Sequence, residues 1–442
     1  MHKRAFGAAA VTGVAALLMS ACGGGGDAAS SSSSTSSASS STETTTSAPA
    51  PSPTGTEAPV RDQAADLVIW TDADRAPILT KYAEEFGKEN GVKVAVQISV
   101  DLRAQFKDAT KVGKGPDVIV GAHDWLGELV QNGAVAPIQL SGDVASKFSE
   151  NSVAATKFNG QTYGVPYAVE NIGLMRNTAL APTAPKTMDE LVKMGTEAKK
   201  KSGGKVTNVL IQQVGKTGNA YYTYPYLSAF DGGIFATKAN GDYDANKVIV
   251  NSAGSIKGAE VLAKLGKEKI LSTNVGDENA EGLFTSGKAP FFITGPWSVP
   301  NAKKAGIKYE ITSLPSLAGG GAMKPFLGVQ MFYVSSKAKN AVLAQEFVTN
   351  YVPRKDVQLA LFEQGGRPPA LKEAYDEVSA KDKDVKAWYE AGKDGKPMPN
   401  IPAMNSVWGP LGQAAADVIS GKAPKARFDA AQKEIVANIA KG

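Results

Sequence analysis

Cysteine and histidine are almost absent from this chain, and their scarcity excludes most metal and nucleophile chemistry. The 442 residues include one cysteine, Cys22, and two histidines, His2 and His123. One cysteine cannot form an intrachain disulfide, and so few ligands cannot build a zinc site of several His or Cys side chains. A Ser-His-Asp or Cys-His nucleophile would have to use His123 alone. We therefore expect neither a metal nor another cofactor.

Blocks of like charge are also missing. Lys and Arg number 48 against 43 Asp and Glu, and the net charge of +5 is spread over many alternating residues. A nucleic-acid-binding chain would show clustered basic residues with interleaved aromatic residues, so we predict no nucleic-acid partner. The hydrophobic share of 43% and the length are those of a globular protein with two or more domains.

The first 21 residues have the pattern of a secretory signal peptide. Two basic residues precede an apolar run, 5–19, that is too short to span a bilayer comfortably and is followed by small residues. Residues 18–22 resemble the bacterial lipobox, with Met19 where leucine is more usual. An ordinary signal peptide followed by a chance cysteine is the alternative. We predict a signal peptide over 1–21 and lipidation at Cys22.

Residues 22–65 have the composition of a disordered tether. Glycine, serine, threonine and proline dominate this stretch, which lacks the apolar residues needed to offset the entropy cost of folding. A lipid on Cys22 would hold the folded body at the outer face of the cell membrane. The predicted location is therefore extracellular and lipid-anchored.

A buried strand over 67–70 begins the folded body and ends in charged residues. Asp72, Asp74 and Arg75 follow the apolar run directly. In open α/β sheets, ligands bind beyond the carboxyl ends of the strands. Carboxylates accept hydrogen bonds and arginine donates several, which suits a polyhydroxylated ligand. The alternative is that Asp74 caps the helix that begins near Pro77.

Alternating helical and strand patterns over 77–120 predict a parallel-sheet module. Helices are expected over 77–89 and 102–112, and strands over 92–100 and 118–120. Asp124 and Trp125 come just after the last of these strands. Asp124 is also a candidate N-cap for a helix over 125–131, whereas an exposed Trp125 needs a ligand or neighbour to cover it.

Further strand ends supply acids and rings. Glu170 follows an extended stretch, and Trp297 follows a buried strand over 290–294. Residues 221–226 form a tyrosine-rich cluster that suits either a core or a binding site.

Other features are assigned to the fold. The loop 365–369 is interpreted as structural. Trp70 and Trp388 are assigned to packing. Helices are expected over 191–201, 256–271, 341–351 and 414–441.

Several of these motifs resemble the maltose-binding proteins that capture sugar for ABC importers. They are Leu67-Val68-Ile69-Trp70, Gly115-Pro116-Asp117 with Ala122-His123-Asp124, Ala168-Val169-Glu170, Gly295-Pro296-Trp297, and Met398-Pro399-Asn400-Ile401-Pro402 with Trp408. The resemblance spreads over nearly the whole folded body. A signal peptide, lipobox and serine-rich tether fit the lipoprotein members of that family.

The resemblance implies an α/β fold of two lobes, joined by a hinge, with sugar bound in the cleft between them. One lobe would comprise 66–168 and 327–372, and the other 173–326 and 375–442. The sugar contacts that it implies are Asp72, Asp74, Arg75, Asp124, Glu170, Tyr221, Trp297 and Trp408.

Five positions depart from the family pattern around these contacts. Gly121 replaces a tryptophan and Trp125 an arginine. Asn219 replaces a glutamate, and Gly409 and Gly412 replace a tyrosine and an arginine. We infer that the ring of Trp125 takes over the missing stacking role and that the site is roomier than in the family's type member.

The resulting hypothesis is a monomeric, non-enzymatic binding protein that delivers maltose or maltodextrin to an ABC permease. One rival is a binding protein for another sugar, such as trehalose. A second is a glycoside hydrolase using carboxylates such as Asp74, Asp124 and Glu170. A purely structural surface lipoprotein would leave the acids and indoles at the strand ends unexplained.

Overall fold

The computed structural model describes residues 57–238 and 243–441. The predicted signal peptide 1–21, the lipidation site Cys22 and the tether as far as residue 56 lie outside the described residues. None of the helices in the described ranges combines the length and the apolar composition that crossing a bilayer requires.

The strands of the described chain are short and are interleaved with helices. In chain order they are β1 (Leu67–Thr71), β2 (Val94–Ile98), β3 (Val118–Ala122), β4 (Lys157–Phe158), β5 (Gln161–Thr162), β6 (Gly164–Glu170), β7 (Gly173–Asn177), β8 (Leu210–Gln212), β9 (Phe235–Thr237), β10 (Tyr243–Val248), β11 (Phe291–Thr294), β12 (Tyr309–Thr312), β13 (Phe326–Val334) and β14 (Lys396–Pro397).

The helices pack around these strands. They are α1 (Ala76–Asn90), α2 (Leu102–Lys111), α3 (Leu126–Gln131), α4 (Gly142–Ser146), α5 (Glu150–Ala155), α6 (Met188–Lys201), α7 (Ala220–Ser228), α8 (Ala253–Lys267), α9 (Ala280–Thr285), α10 (Val299–Lys304), α11 (Ala341–Glu346), α12 (Lys355–Gly365), α13 (Lys372–Lys381), α14 (Lys383–Gly392), α15 (Trp408–Ile419) and α16 (Pro424–Ile439). Short 3-10 turns cover His123–Trp125, Pro296–Ser298 and Pro402–Ser406, and a π-helical turn covers Phe347–Tyr351.

The first lobe is built on a sheet in the order β14-β13-β3-β1-β2, with β6 also paired to β13. β1 runs parallel to β2 and to β3, as the alternating pattern over 67–120 predicted. Alternate residues of β1 point to opposite faces: Leu67 and Ile69 join one buried cluster, and Val68 and Trp70 join the other. The sheet is therefore buried on both sides.

The second lobe is built on a sheet in the order β12-β7-β11-β8. The chain passes from the first sheet to the second between β6 and β7, which are separated by Asn171 and Ile172, and returns between β12 and β13. Two sheets with crossings between them give the two-lobed α/β fold that the resemblance implied. β14 lies in the segment assigned to the second lobe, yet it pairs with β13 of the first sheet.

The N-terminal edge of the first lobe lies before the expected boundary at residue 65. Arg61 is 4% exposed, and its Nη2 lies 2.7 Å from Oδ2 of Asp117. Arg61 Nη1 also donates to the carbonyl of Gly115 at 3.1 Å. These buried contacts bind the end of the predicted tether to the sheet.

Two expectations about helices were wrong. The stretch 414–441 is not one helix, because α15 ends at Ile419 and α16 begins at Pro424, with Gly421 between them at φ 101°. Asp74 does not cap α1: Arg75 occupies the N-cap position, and its backbone N–H donates to Oδ1 of Asp72 at 3.0 Å. Trp70 and Trp388 are buried at 0% and 1% exposure, which confirms their assignment to packing.

Candidate functional site

A cavity of about 480 Å³ lies between the lobes, where several of the strands end. Four residues proposed from the sequence line it: Asp74 and Glu170 from the first lobe, and Tyr221 and Trp297 from the second. The other lining residues are Gln213, Asn219, Tyr222, Asp277, Glu281, Ser298 and Arg367. Acids, amides and aromatic rings thus face one another across the gap.

Glu170 is the most constrained acid of this cavity. It is the last residue of β6 and is 7% exposed. Gln330 Nε2 donates to its Oε1 at 2.6 Å, and Arg367 Nε donates to its Oε2 at 2.6 Å. Each carboxylate oxygen can accept more than one hydrogen bond. Both oxygens are therefore fixed in direction and keep acceptor capacity for a ligand.

Arg75 stands behind Glu170 and does not line the cavity. It is 8% exposed, its Nε donates to the hydroxyl of Tyr167 at 2.5 Å, and its Nη2 donates to Oε1 of Gln330 at 2.9 Å. Its Nη1 pairs with Asp72. Because protein acceptors occupy its nitrogens, Arg75 orients the amide of Gln330, which in turn holds Glu170.

The indole of Trp297 packs against a glycine and an arginine. It follows β11 in a 3-10 turn, and a Cβ built on Gly295 would lie 2.1 Å from its Cζ3 and 2.2 Å from its Cη2, which places the glycine backbone against the six-membered ring. The guanidinium carbon of Arg367 lies over the indole, 5.5 Å from the ring centroid.

Tyr221 supplies a donor without a protein partner. It is the second residue of α7. The N-cap of this helix is Asn219, whose Oδ1 accepts from the backbone N–H of Tyr221 at 3.1 Å. Its hydroxyl is buried and has no hydrogen-bond partner in the protein. Burial raises the pKa of this hydroxyl well above its ordinary value, and the nearby carboxylate of Glu170 raises it further. The hydroxyl of Tyr221 therefore stays protonated and can donate a hydrogen bond to a ligand oxygen.

Asp124 and Trp125 lie at the end of β3, near the cavity and not in its lining. Asp124 is 4% exposed and does not occupy the N-cap of the 3-10 turn or of α3, so its interpretation as a cap was wrong. Arg103 Nη1 lies 3.8 Å from its Oδ2. Burial raises the pKa of Asp124, while Arg103 opposes that rise. The charge of Glu170 adds to the rise in the pKa of Asp124.

Trp408 belongs to α15 and is not among the residues that line the cavity. It begins α15 and packs half-buried against the core of the second lobe, and its indole N–H is buried without a hydrogen-bond partner in the protein. The turn before it contacts α3, where Asn405 Nδ2 donates to Oε1 of Glu128 at 3.1 Å. The contact of Trp408 with a ligand stays a prediction.

Sequence reasoning missed Arg367, Gln330, Asp277 and Glu281. Arg367 stands in the loop 365–369, which we had interpreted as structural, yet it lines the cavity and contacts two other lining residues. Its signal was a charged residue held between glycines and prolines. Asp277 and Glu281 follow no strand, so the strand-end rule could not find them. Among residues 57–238 and 243–441, no His, Cys, Asp and Glu side chains group closely enough to hold a metal ion.

Comparisons with known proteins agree with this architecture. The family model for bacterial extracellular solute-binding protein matches residues 81–391. A galactooligosaccharide-binding protein of Bacillus subtilis (strain 168) is 32% identical over 382 residues, which cover 84% of this chain and 88% of that protein.

Two further relatives match at lower identity. A maltooligosaccharide ABC transporter solute-binding lipoprotein of Streptococcus pneumoniae (strain ATCC BAA-255 / R6) is 28% identical, over 81% of this chain and 85% of its own length. A maltotriose-binding protein of Pyrococcus abyssi (strain GE5 / Orsay) is 26% identical, over 84% of this chain and 82% of its own length. The chain therefore belongs to the family of bacterial extracellular solute-binding proteins.

Proposed function

We propose that this protein binds an oligosaccharide between its lobes, unchanged, and delivers it to the permease of an ABC importer. The observation that carries the proposal is the cavity itself: carboxylates of the first lobe face carboxylates, amides and aromatic rings of the second across one gap of about 480 Å³. A pyranose offers hydroxyl groups at its edges and C–H groups on its faces. The acids and amides match the former and the rings match the latter.

Each side chain has a distinct part in this proposal. Glu170 accepts from sugar hydroxyls with the lone pairs that Gln330 and Arg367 leave free. The unpartnered hydroxyl of Tyr221 donates to a sugar oxygen. Asp74 and the more distant acid Asp124 are further acceptors. A sugar hydroxyl buried without a partner costs about 1–3 kcal/mol, so selectivity follows from how these groups match its hydroxyls.

The size and linkage of the sugar are the finer part of the proposal. We retain maltooligosaccharide as the first candidate, because the strand-end motifs resemble the maltose-binding proteins and two of the relatives are named for maltooligosaccharides. Galactooligosaccharide is the second candidate, because the 32% identical relative is named for it. Trehalose remains the third. Of the three glycines that depart from the family pattern, only Gly409 leaves open space, because Trp125 fills the space beside Gly121 and the backbone of residues 217–218 fills that beside Gly412.

Transport rather than hydrolysis is the proposed outcome of binding. The relatives described above are named as binding proteins, not as enzymes. Closure of two lobes about a hinge would bury the sugar and change the surface that the permease meets. Capture and release of an unchanged sugar would then couple binding to transport.

The N-terminal part of the proposal places the protein outside the cell on a lipid anchor. The predicted signal peptide, the lipobox-like residues 18–22 and the serine-rich stretch support it, as does a relative that is named a lipoprotein. We propose that the mature protein is a monomer, tethered through Cys22 to the membrane that holds the permease.

Calorimetry with a panel of sugars tests the proposal. We expect maltotriose, maltotetraose, a β-1,4-galactotriose or trehalose to bind with a dissociation constant in the micromolar range or below. Glu170→Gln should weaken binding of the best sugar by about tenfold, because a charge-assisted acceptor becomes a neutral amide. Chromatography of the recovered sugar should show no cleavage. Failure of all four sugars to bind, or release of smaller sugars, would contradict the proposal.

A further inference from the structure

Arg367 joins groups that belong to different lobes. Its Nε donates to Glu170 at the end of β6, in the first sheet, and its guanidinium lies over Trp297, which follows β11 in the second sheet. Arg367 itself follows α12, a helix that packs against α1 and β6 of the first lobe. The side chain is 13% exposed. One arginine thus bridges the gap between the lobes beside the proposed sugar.

The residue before Arg367 also touches the second lobe. Gly366 ends α12 at φ +68°, where its backbone N–H donates to the carbonyl of Phe362. A Cβ built on Gly366 would lie 2.4 Å from the carbonyl oxygen of Pro296 and 3.0 Å from Cδ of Pro300. Both the backbone conformation and the close approach require glycine here. The turn 366–367, which we call the bridging turn, is therefore shaped to fit against the second lobe.

We propose that Arg367 is a positioning residue that holds the two lobes together around the sugar site. Because Arg367 and Trp297 belong to different lobes, their contact favours the arrangement of the lobes seen here, in which the two side chains meet. Opening of the cleft would break that contact while leaving the ion pair with Glu170 intact, since both members of the pair belong to the first lobe. Arg367 thereby favours the closed arrangement before any sugar contributes to it.

The indole of Trp297 is a suitable partner for the guanidinium of Arg367 in holding the lobes together. A planar guanidinium over an indole is held by the charge distribution of the ring, and the attraction grows when both groups are shielded from water. The ion pair with Glu170 fixes the guanidinium from the other side. A lysine at this position would keep the charge but not the planar group that stacks on a ring.

The effect on affinity follows from the fraction of closed protein. If only closed protein binds sugar tightly, the apparent dissociation constant rises as that fraction falls. Loss of the contact between Arg367 and Trp297 should lower the closed fraction and weaken sugar binding on the order of tenfold. This affinity readout rests on the proposed function, whereas the distance between the lobes does not.

The test measures an interlobe distance with and without sugar. Cys22 is the only cysteine of the chain, so Cys22→Ser leaves two introduced cysteines as the only labelling sites. Val342 on α11 of the first lobe and Val436 on α16 of the second are 82% and 49% exposed and accept spin labels. Distances are recorded by double electron–electron resonance for the parent chain, Arg367→Ala and Arg367→Lys, each with and without maltotriose or the best sugar of the panel.

Arg354 provides a matched control. Its guanidinium lies over the ring of Tyr351 at 4.5 Å and pairs with Asp356, but all three residues belong to the first lobe. Arg354→Ala removes the same kinds of contact without touching the interlobe gap. We expect it to leave the distance distribution and the sugar affinity at their parent values.

The expected result is that Arg367→Ala and Arg367→Lys both shift the sugar-free distances away from the sugar-bound ones, and that saturating sugar restores them. Unchanged sugar-free distances in Arg367→Ala would overturn the proposal, whatever happens to affinity. Parent-like behaviour of Arg367→Lys would show that the ring contact is not what holds the lobes, and would overturn it too. If the parent chain bound no sugar but Arg367→Ala still shifted its sugar-free distances, the role of Arg367 would stand and the proposed function would fail.

Discussion

The indole of Trp125 lies on the backbone of Gly121: a Cβ built on this glycine would be 2.1 Å from Cζ3 and 2.4 Å from Cε3 of the ring. Gly121 belongs to β3 and Trp125 to the 3-10 turn that follows it. The second lobe repeats the arrangement with Gly295 and Trp297 after β11. In each lobe, therefore, a glycine near the end of a strand gives an indole room to pack against its backbone.

Gly121→Ala should displace the ring of Trp125. The added methyl group overlaps the indole, and overpacking of this kind costs about 1–3 kcal/mol of unfolding free energy. If Trp125 stacks on the sugar, affinity should fall by about threefold to tenfold. Denaturant unfolding and calorimetry measure the two effects.

Gly142→Ala is the control for this substitution, since a Cβ at Gly142 would meet nothing within 4 Å. The penalty of Gly121→Ala should also shrink when Trp125 is replaced by alanine, because the overlap is then gone. An unchanged stability and affinity of Gly121→Ala in the parent chain would show that the ring of Trp125 does not depend on this glycine.

Gln330→Met should weaken both stability and binding. Gln330 is 7% exposed, accepts from Arg75 and donates to Glu170. Methionine fills similar space but leaves a buried guanidinium and a buried carboxylate each short of one partner, at a cost of about 1–3 kcal/mol. Sugar affinity should fall because Glu170 loses one of the two donors that orient it. Chemical denaturation and calorimetry with the best sugar test this.

Gln345→Met is the matched control, because the amide of Gln345 donates to the carbonyl of Pro137 at the surface, away from the cavity. We expect no measurable change in affinity for that variant. If Gln330→Met bound sugar as tightly as the parent chain, Glu170 would not need its amide partner.

Glu281 should make sugar binding sensitive to mildly acidic pH. Burial raises the pKa of Glu281 above its ordinary value of 4.5, and Asp74 and Asp277 raise it further, while hydrogen bonds from Asn301 and Ser298 oppose the rise. If its carboxylate accepts from the sugar, affinity falls as the pH drops through this raised pKa, and the fall begins above pH 4.5. Binding titrations from neutral to acidic pH measure the effect, and Glu281→Gln should remove it.

Stability should respond to Glu281 with the opposite sign. Because its pKa is raised on folding, the folded state binds the proton more tightly, and the unfolding free energy falls as the pH rises above 4.5 and through the raised pKa. Glu281→Gln should therefore be more stable than the parent chain at pH 7 and equal to it at low pH. A variant that is less stable at pH 7 would contradict this.

Arg61→Met should destabilise the first lobe strongly. The side chains of Arg61 and Asp117 are 2% and 0% exposed, and Asp117 also accepts from the backbone N–H groups of Val68 and Lys339. Removing one partner of a buried ion pair costs about 3–5 kcal/mol, because the other charge stays buried. Denaturant unfolding checks this.

The pair of Lys93 and Asp62 provides the control for Arg61, since it lies nearby at 58% and 33% side-chain exposure. Lys93→Met should leave the unfolding free energy almost unchanged, because water screens exposed pairs. Equal effects of the two substitutions would mean that the residues before β1 are not part of the cooperative fold.

The strands and most helices followed from local patterns. Leu67-Val68-Ile69-Trp70 predicted β1, and Pro77 and Gly91 marked the ends of α1, whose C-cap Gly91 has φ 67°. Such features depend on a few neighbouring residues, so they can be predicted from the sequence. The break at Gly421 was missed because the apolar periodicity continues on both sides of it.

The site was only partly predictable, because local patterns do not show which side chains meet in space. Acids and rings that follow strands were found, and Asp74, Glu170, Tyr221 and Trp297 do line the cavity. Arg75 fitted the same rule yet turns inward to Tyr167 and Gln330. Arg367 did not fit the rule and lies in the cavity nonetheless. A side chain's direction depends on partners that are distant in sequence, such as Arg75 and Gln330.

The division into two lobes was implied by the resemblance to a known family. The sequence by itself determined the parallel-sheet module over 67–120, the scarcity of metal-binding side chains, and a set of acids and rings at strand ends. These follow from composition and short-range periodicity, which act within a few residues. Only the tertiary structure decided which of those groups face one cavity, that Gln330 and Arg367 hold Glu170, and that Arg367 reaches Trp297 across the lobes. The reason is that chain segments far apart in sequence, such as those of Arg367 and Glu170, meet only when both sheets have formed and packed, and that packing determines where each charge is buried.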